Sequence, residues 1–299
     1  MVSLSQTVAI VGAAGKVGYA TAVSLRQAGV QVRAILRNSS KEARLVEIGC
    51  EIYVADIQDS DALAAAIRGV DTVQIILPVA PEVQDTCEQM FEAIESLASA
   101  VEKTHARRVL AISDYGAHVT HDIGMPTMFH AFEARLSKLD CEVIIVRSAP
   151  HMEGWARASR LAAESGSLPS FYCPADMAFP TISAADLGRI SAKLLLRSSG
   201  KRGVEIVHGE GPRRYSANDV AAALSTLLGR NIAVKIVPRQ HWDDQLQRVM
   251  NRSLAELLVK TNDAQNSGLV DVDPNSGEVF YGTTELIDAL RPLLGLAKI

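Results

Sequence analysis

The chain has few of the features that mark a secreted or membrane protein. Its four cysteines, Cys50, Cys87, Cys141 and Cys173, are widely spaced and include no C-x-x-C, which predicts reduced, mostly buried thiols rather than a disulfide framework. No apolar run approaches the roughly 20 residues that span a bilayer. The opening stretch MVSLSQTVAIVG lacks the basic start and long apolar core of a signal peptide. A cytoplasmic protein is therefore expected.

An excess of positive charge is also absent. The chain has 30 Lys and Arg against 34 Asp and Glu, a formal net charge of −4, so no basic surface indicates a nucleic-acid partner. One H-x-x-H pair, His118 and His121, has Asp122 beside it but no second cluster of ligands, and it lies in a predicted loop. No metal site is expected from this pattern.

What the chain does contain is a regular alternation of short apolar runs and helical patterns. Strands are predicted at 7–12, 30–37, 50–56, 71–78, 107–113, 141–148 and 203–209. Helical patterns lie between them, among others at 17–29, 82–104, 126–139 and 183–196. Strands that alternate with helices in this way predict an α/β fold with a doubly wound parallel sheet and right-handed crossovers.

A glycine triplet connects the first predicted strand to the first helix, in VAIVGAAGKVG. Such glycines permit a tight turn and a close backbone approach to a pyrophosphate, and the helix N-terminus adds free N–H groups. The pattern predicts a dinucleotide site that includes Gly12, Ala14, Gly15, Lys16, Val17 and Gly18. Whether Lys16 contacts a phosphate or is solvated stays open.

The end of the second strand favours NADP(H) over NAD(H). Arg37 stands where NAD-selecting sites carry an acidic residue, and no carboxylate follows before Glu42. A guanidinium can form a forked contact with the adenosine 2′-phosphate, the alternative being a solvated surface arginine. Further cofactor contacts are expected at the ends of the third, fourth and fifth strands, at Asp56, Ile57, Leu77, Pro78 and Ser113.

The composition changes after Ser148, where residues 149–181 become rich in Pro, Gly and Ser. We expect two interleaved lobes. The dinucleotide-binding (Rossmann) lobe would comprise residues 1–148 plus 182–209. A smaller α+β lobe for substrate or a partner would comprise 149–181 plus 210–299.

On these motifs the chain resembles the NmrA-like family of atypical short-chain dehydrogenases/reductases. The likeness covers nearly the whole chain and rests on GAAGKVG, VRAILRN, VADIQD, RRVLAIS and FEARLSKLDCEVIIVRSAPHMEGW. It implies an NADP(H)-binding Rossmann fold with a small substrate lobe. Some members of the family reduce quinones, imines, azo compounds or phenylpropanoid double bonds, and others sense the NADPH/NADP balance.

The chain departs from short-chain reductases in its catalytic residues. None of its six tyrosines has a lysine four residues later, so the Tyr-x-x-x-Lys pair is absent. In reducing members of the resembled family a lysine often precedes the helix glutamate by four residues. If Glu133 is that glutamate, Phe129 takes the place of the lysine.

Three side chains remain as catalytic candidates, Ser113, Tyr115 and His130. His130 precedes Glu133 by three residues on the predicted helix, so the carboxylate could hold its imidazole. For His130 the alternative is a structural or solvated role. For Tyr115 it is a loop residue that packs over the cofactor, and for Ser113 a contact with the cofactor. Three residues of the following loop, His151, Met152 and Trp155, could form a substrate pocket or serve as packing anchors.

Two functions follow from these expectations. The first is an oxidoreductase that uses NADPH to reduce small planar or aromatic electrophiles, since such acceptors need little proton assistance. The second is a non-catalytic redox sensor whose NADP(H) occupancy changes a protein-binding surface. An epimerase or lyase is a third, weaker reading, and a homodimer or protein partner stays open.

Overall fold

A parallel sheet forms the centre of the computed structural model, which describes residues 7–79, 82–198, 200 and 202–295. The strands in the described part of the chain are β1 Thr7–Val11, β2 Gln31–Leu36, β3 Glu51–Val54, β4 Thr72–Ile76, β5 Arg108–Asp114, β6 Glu142–Ser148, β7 Ser167–Ser170, β8 Gly203–Glu210, β9 Ala233–Ile236 and β10 Val279–Tyr281. Eight of them pair in the order β10-β8-β6-β5-β4-β1-β2-β3, with every described pairing parallel. The predicted doubly wound parallel α/β sheet is confirmed.

Helices cover both faces of this sheet. Those described are α1 Lys16–Gln27, α2 Ala43–Glu47, α3 Ser60–Ile67, α4 Thr86–Thr104, α5 Met125–Leu136, α6 Ala156–Ser165, α7 Ala184–Leu195, α8 Ala217–Leu228, α9 Trp242–Gln247, α10 Arg252–Asn266 and α11 Leu286–Leu290. Apolar residues of α3, α4 and α5 form one buried core with the sheet, and those of α1 and α7 form a second core on the opposite face. Because both faces are covered, the central strands are buried along nearly their whole length and are rich in apolar residues.

Helix α4 begins four residues later than the sequence predicts. The side chain of Asp85 accepts hydrogen bonds from the backbone N–H groups of Cys87 and Glu88, and this N-cap sets the start at Thr86. Among the described residues, no helix combines the length and the apolar character that crossing a bilayer requires.

The strands β7 and β9 form a separate two-stranded parallel sheet. Beside it lies a third apolar cluster that includes Trp155, Leu168, Tyr215 and Leu224. The division into two lobes stays a prediction. Strand β10, which lies in the range predicted for the smaller lobe, nevertheless joins the main sheet by pairing with β8 at its edge.

Candidate active site

The glycine loop lies between the end of β1 and the start of α1. Gly12 has a φ of +87°, a conformation that L side chains rarely adopt. A Cβ on Gly18 would lie 2.4 Å from the carbonyl oxygen of Gly12, so a side chain there would displace the loop. Gly15 is the N-cap of α1, and no side chain caps the first-turn N–H groups. This backbone cradle could hold a pyrophosphate against the positive end of the helix.

The sheet order places the loop at a topological switch point. Strand β1 lies between β2 and β4, and ligands of open α/β sheets bind where the strand order reverses, outside the carboxyl ends of the strands. The residues predicted to line this crevice follow the neighbouring strands. Asp56, which follows β3, is exposed. After β4, Leu77 is buried and Pro78 is exposed. Ile57 packs partly into the core.

Two arginines lie near this end of the crevice. Arg37 directly follows β2, is 67% exposed in its side chain and pairs with Glu82 at 3.3 Å. Arg44, on α2, donates a hydrogen bond to the carbonyl oxygen of Ala14 in the glycine loop. Its guanidinium also stacks on the ring of Tyr19, 4.3 Å from the centroid. Sequence reasoning missed Arg44, because only the fold of the segment after β2 brings it back to the loop.

The end of β5 carries a buried polar network. Ser113 donates a hydrogen bond to Oε1 of Glu133 at 2.5 Å. Arg147, on the neighbouring strand β6, donates Nε to Oε1 of Glu133 at 3.0 Å and Nη2 to Oε2 at 2.8 Å. Its Nη1 pairs with Asp273 at 3.0 Å. Because all three charged side chains are largely shielded from water, each depends on the others.

The charges of this network are fixed by its contacts. Asp273 accepts a hydrogen bond from Ser276, and its further contacts with the Asn275 backbone and Arg147 help to hold its pKa at about 2. Burial alone would lower the pKa of Arg147, but its bonds to Glu133 and Asp273 raise it. The Ser113 hydroxyl donates its proton to a carboxylate, so this arrangement does not leave it as a proton donor for a substrate. Its expected cofactor contact stays a prediction.

Tyr115 does not reach the crevice as a proton donor would have to. Its side chain is fully buried, its hydroxyl donates to Oε2 of Glu210 at 3.3 Å, and its ring meets that of His208 edge-on. Burial and the charge of Glu210 raise the pKa of the Tyr115 hydroxyl well above its ordinary value. The catalytic role of Tyr115 stays a prediction, and its position is the one that the alternative of a packing tyrosine describes.

His130 and Glu133, which the sequence suggests as a pair, have different partners in the structure. His130 is exposed on α5, and its Nδ1 contacts the carbonyl oxygen of Ala117 at 2.8 Å. Glu133 is already bound by Ser113 and Arg147. Three residues along a helix bring two side chains near the same face, but stronger partners on β5 and β6 hold the carboxylate.

One more carboxyl group lies at this strand end. Asp114 is the last residue of β5, is partly shielded from solvent and has a pKa raised to about 7. Burial is the main cause, and the negative charge of Glu133 adds to it. Asp114 in turn contributes to the raised pKa of Tyr172, about 12, which is due chiefly to burial. Sequence reasoning passed over Asp114, since nothing in SDYGAH shows its surroundings.

The loop after β6 supplies packing residues and one exposed histidine. Met152 and Trp155 are buried, and the Trp155 ring meets that of Tyr172 edge-on with centroids 5.4 Å apart. His151 is exposed, and the charges of Glu153 and Lys16 both act on it. In the described part of the chain, no group of three or more His, Cys, Asp or Glu could hold a metal ion.

Comparisons with known proteins bear on this geometry. A family model described as NAD(P)H-binding matches residues 12–150. The chain is 22% identical to an NAD(P)H azoreductase of Xenophilus azovorans over 251 residues, 83% of this chain and 84% of that protein. It is 23% identical to quinone oxidoreductase 2 of Escherichia coli strain K12 over 294 residues, 97% of this chain and 99% of that protein.

The NmrA-like resemblance is confirmed. The chain also shares its fold with the triphenylmethane reductase of Citrobacter sp., whose crystal structure is a complex with NADP(H). The TM-score is 0.78 at 16% identity, with 96% of this chain and 99% of that chain covered. The family match covers the glycine loop and the strands from β2 to β6, which places the NAD(P)H-binding fold in the part of the chain described above.

Proposed function

We propose that this NmrA-like chain is an NADPH-dependent reductase of planar aromatic electrophiles, of the quinone, imine, azo or enone type. The observation that carries the proposal is the glycine cradle at the β1–α1 switch point, with Arg37 and Arg44 beside it. The azoreductase and quinone oxidoreductase among the relatives support this substrate class. The NADP(H) complex of the Citrobacter enzyme supports the cofactor.

The residues present fit a phosphorylated dinucleotide. The uncapped first turn of α1 would hold the pyrophosphate through backbone N–H groups. The ion pair of Arg37 with Glu82 is exposed on both sides and contributes little, so the guanidinium can exchange it for a 2′-phosphate at small cost. When bound, NADPH supplies the hydride, and the protein supplies position and a shielded surface.

The substrate class also agrees with what surrounds the end of β5. Phe129, in the place of the lysine of reducing relatives, packs edge-on against Phe132 and offers no charge. Reduction of an unactivated carbonyl needs strong proton assistance at the oxygen, which neither Tyr115 nor His130 is placed to give. Quinones and azo compounds accept hydride with less assistance, and they are the better acceptors for this site.

Binding titrations with NADPH, NADP⁺, NADH and NAD⁺ test the cofactor assignment. A charged hydrogen bond contributes about 1.5–3 kcal/mol, so we expect the phosphorylated forms to bind roughly 10- to 100-fold more tightly. Arg37→Ala and Arg44→Ala should each reduce this preference. Arg252→Ala, which removes an exposed arginine on α10, is the matched control and should not. Equal affinity for NADPH and NADH in the unaltered chain would contradict the assignment.

A panel of quinone, azo, imine and enone acceptors tests the activity. NADPH oxidation should be measured by absorbance with each acceptor at saturating NADPH. Turnover above the acceptor-free rate with at least one class is expected. If NADPH binds but no class is reduced, the reductase proposal fails, and a redox sensor becomes the better explanation. A homodimer or protein partner also stays a prediction.

We also propose a cytoplasmic location. All four cysteines are unpaired, which agrees with a reducing compartment, although two of them are not buried as the sequence led us to expect. Cys50 and Cys141 are buried, Cys87 is partly exposed and Cys173 is exposed.

A further inference from the structure

The interval between the glycine loop and the end of β2 is where a bound dinucleotide of this fold has its adenosine ribose. Strands β1 and β2 are parallel neighbours, with Val11 opposite Ile35, so the glycine loop and Arg37 lie side by side at the carboxyl edge of the sheet. The side chain of Arg44 returns from α2 to this interval and donates to the carbonyl oxygen of Ala14. This contact with the cradle puts the guanidinium beside the expected 2′-phosphate.

Two contacts hold the guanidinium of Arg44 in one orientation. Besides its bond to Ala14, it lies over the ring of Tyr19, 4.3 Å from the centroid. Tyr19 is near the start of α1, and both Tyr19 and Ala14 pack partly against the core that α1 and α7 form with the sheet. A planar guanidinium that is already held by a ring and a carbonyl loses less freedom on binding an anion than a free side chain does.

The two arginines of this interval differ in how ready they are for a phosphate. Arg37 is paired with the carboxylate of Glu82 and has to leave it. In the part of the chain that the structure describes, no carboxylate pairs with Arg44, which is exposed. A guanidinium has five N–H donors, and the bond to Ala14 uses one of them. Arg44 therefore presents a positive charge and further donors beside the cradle without first breaking an ion pair.

We propose that Tyr19 is a positioning residue that fixes Arg44 for recognition of the 2′-phosphate of NADP(H). The assignment rests on the proposed function, which takes NADPH as the cofactor. Tyr19 acts through Arg44. The ring supports one face of the guanidinium, the carbonyl oxygen of Ala14 fixes its rotation, and the remaining N–H donors meet the phosphate.

The ratio of the Kd for NADH to the Kd for NADPH is the readout that tests this assignment. A purely structural role of Tyr19 would weaken the binding of both cofactors alike and leave the ratio unchanged. Tyr19→Leu should lower the ratio roughly 2- to 10-fold, because the freed guanidinium must be ordered when the phosphate binds. Tyr19→Phe keeps the ring and should keep the ratio. An unchanged ratio in Tyr19→Leu would overturn the proposal.

A second pair of the same kind supplies the matched control. The guanidinium of Arg33, on β2, lies over the ring of Tyr53, on β3, 4.5 Å from the centroid. Arg33 donates to the carbonyl oxygens of Ala66 and Arg68 and not to the glycine loop. Tyr53→Leu should therefore leave the ratio of the two Kd values unchanged. A fall as large as that of Tyr19→Leu would show a general effect on the fold and count against the proposal.

Arg44→Lys tests the same contact with Tyr19 left in place. Lysine keeps the positive charge but has no planar group to lie on the ring, so the ratio should fall. Retention of the full ratio in Arg44→Lys would show that charge alone suffices, and the positioning role of Tyr19 would be refuted.

Double variants show whether Tyr19 acts through Arg44. Added to Arg44→Ala, Tyr19→Leu should have no further effect on the ratio, since the guanidinium that the ring holds is gone. Added to Arg37→Ala, it should keep its full effect. A further fall on the Arg44→Ala background would contradict the assignment.

The unaltered chain separates this assignment from the proposed function. If it binds NADPH more tightly than NADH and Tyr19→Leu keeps the whole preference, the role of Tyr19 fails while the NADPH-dependent function stands. If the unaltered chain binds both cofactors equally, both fail.

Discussion

Replacing Glu133 with alanine should destabilise the protein far more than an ordinary surface change. Glu133 and Arg147 are only 7% and 5% exposed and share two hydrogen bonds, at 3.0 and 2.8 Å. Ser113 adds a third, at 2.5 Å. Glu133→Ala leaves a buried guanidinium with one carboxylate instead of two, and it removes the acceptor of the Ser113 hydroxyl.

The magnitude follows from the cost of breaking a buried ion pair. Removal of one partner costs about 3–5 kcal/mol, and the lower end applies here because Asp273 still pairs with Arg147. The loss of about 3 kcal/mol is a large share of the roughly 5–15 kcal/mol that stabilises a domain. For a protein of this size it corresponds to a drop in Tm of about 6–12 °C, at about 2–4 °C per kcal/mol.

Urea denaturation followed by far-UV circular dichroism measures this loss, provided that the slope m is unchanged. Glu95→Ala is the matched control. Glu95 lies on α4 and pairs with Arg135 of α5, the helix that also carries Glu133, but the side chain of Glu95 is 67% exposed. In this control the free energy of unfolding should fall by less than about 1 kcal/mol. A cost below about 1 kcal/mol for Glu133→Ala as well would refute the view that the network is buried and dependent on all its members.

Two further predictions concern residues around this network. Asp273 has its pKa lowered to about 2 in the folded chain, so it contributes stability that is present above pH 4 and lost as pH falls toward 2. That contribution, roughly 2 kcal/mol, should appear as a fall in the urea midpoint from pH 5 to pH 2, and Asp273→Asn should lack it. Tyr115→Phe should leave kcat within about twofold while it lowers stability by about 1 kcal/mol, because the hydroxyl bonds to Glu210 and not to a substrate. A large fall in kcat with the fold intact would support the predicted catalytic role of Tyr115.

The sequence by itself determined the repeating strands and the glycine loop. Apolar runs of strand length, alternating with helical patterns, depend on local periodicity, which a chain shows without its fold. The turn at Gly12 and the close approach at Gly18 are equally local, because both arise within a few residues of the β1–α1 connection. At the start of α4 the boundary differs from the prediction because the side chain of Asp85 caps the helix there.

The tertiary structure alone decided what each polar side chain contacts. Glu133 lies three residues from His130 in the chain, yet it binds Ser113 and Arg147 from two strands because these offer shorter, charge-assisted bonds in a buried setting. Arg44 reaches the glycine loop, and β10 joins the sheet edge, through contacts between residues far apart in sequence. The raised pKa of Asp114 has the same origin, since burial and the charge of Glu133 exist only once the chain has folded.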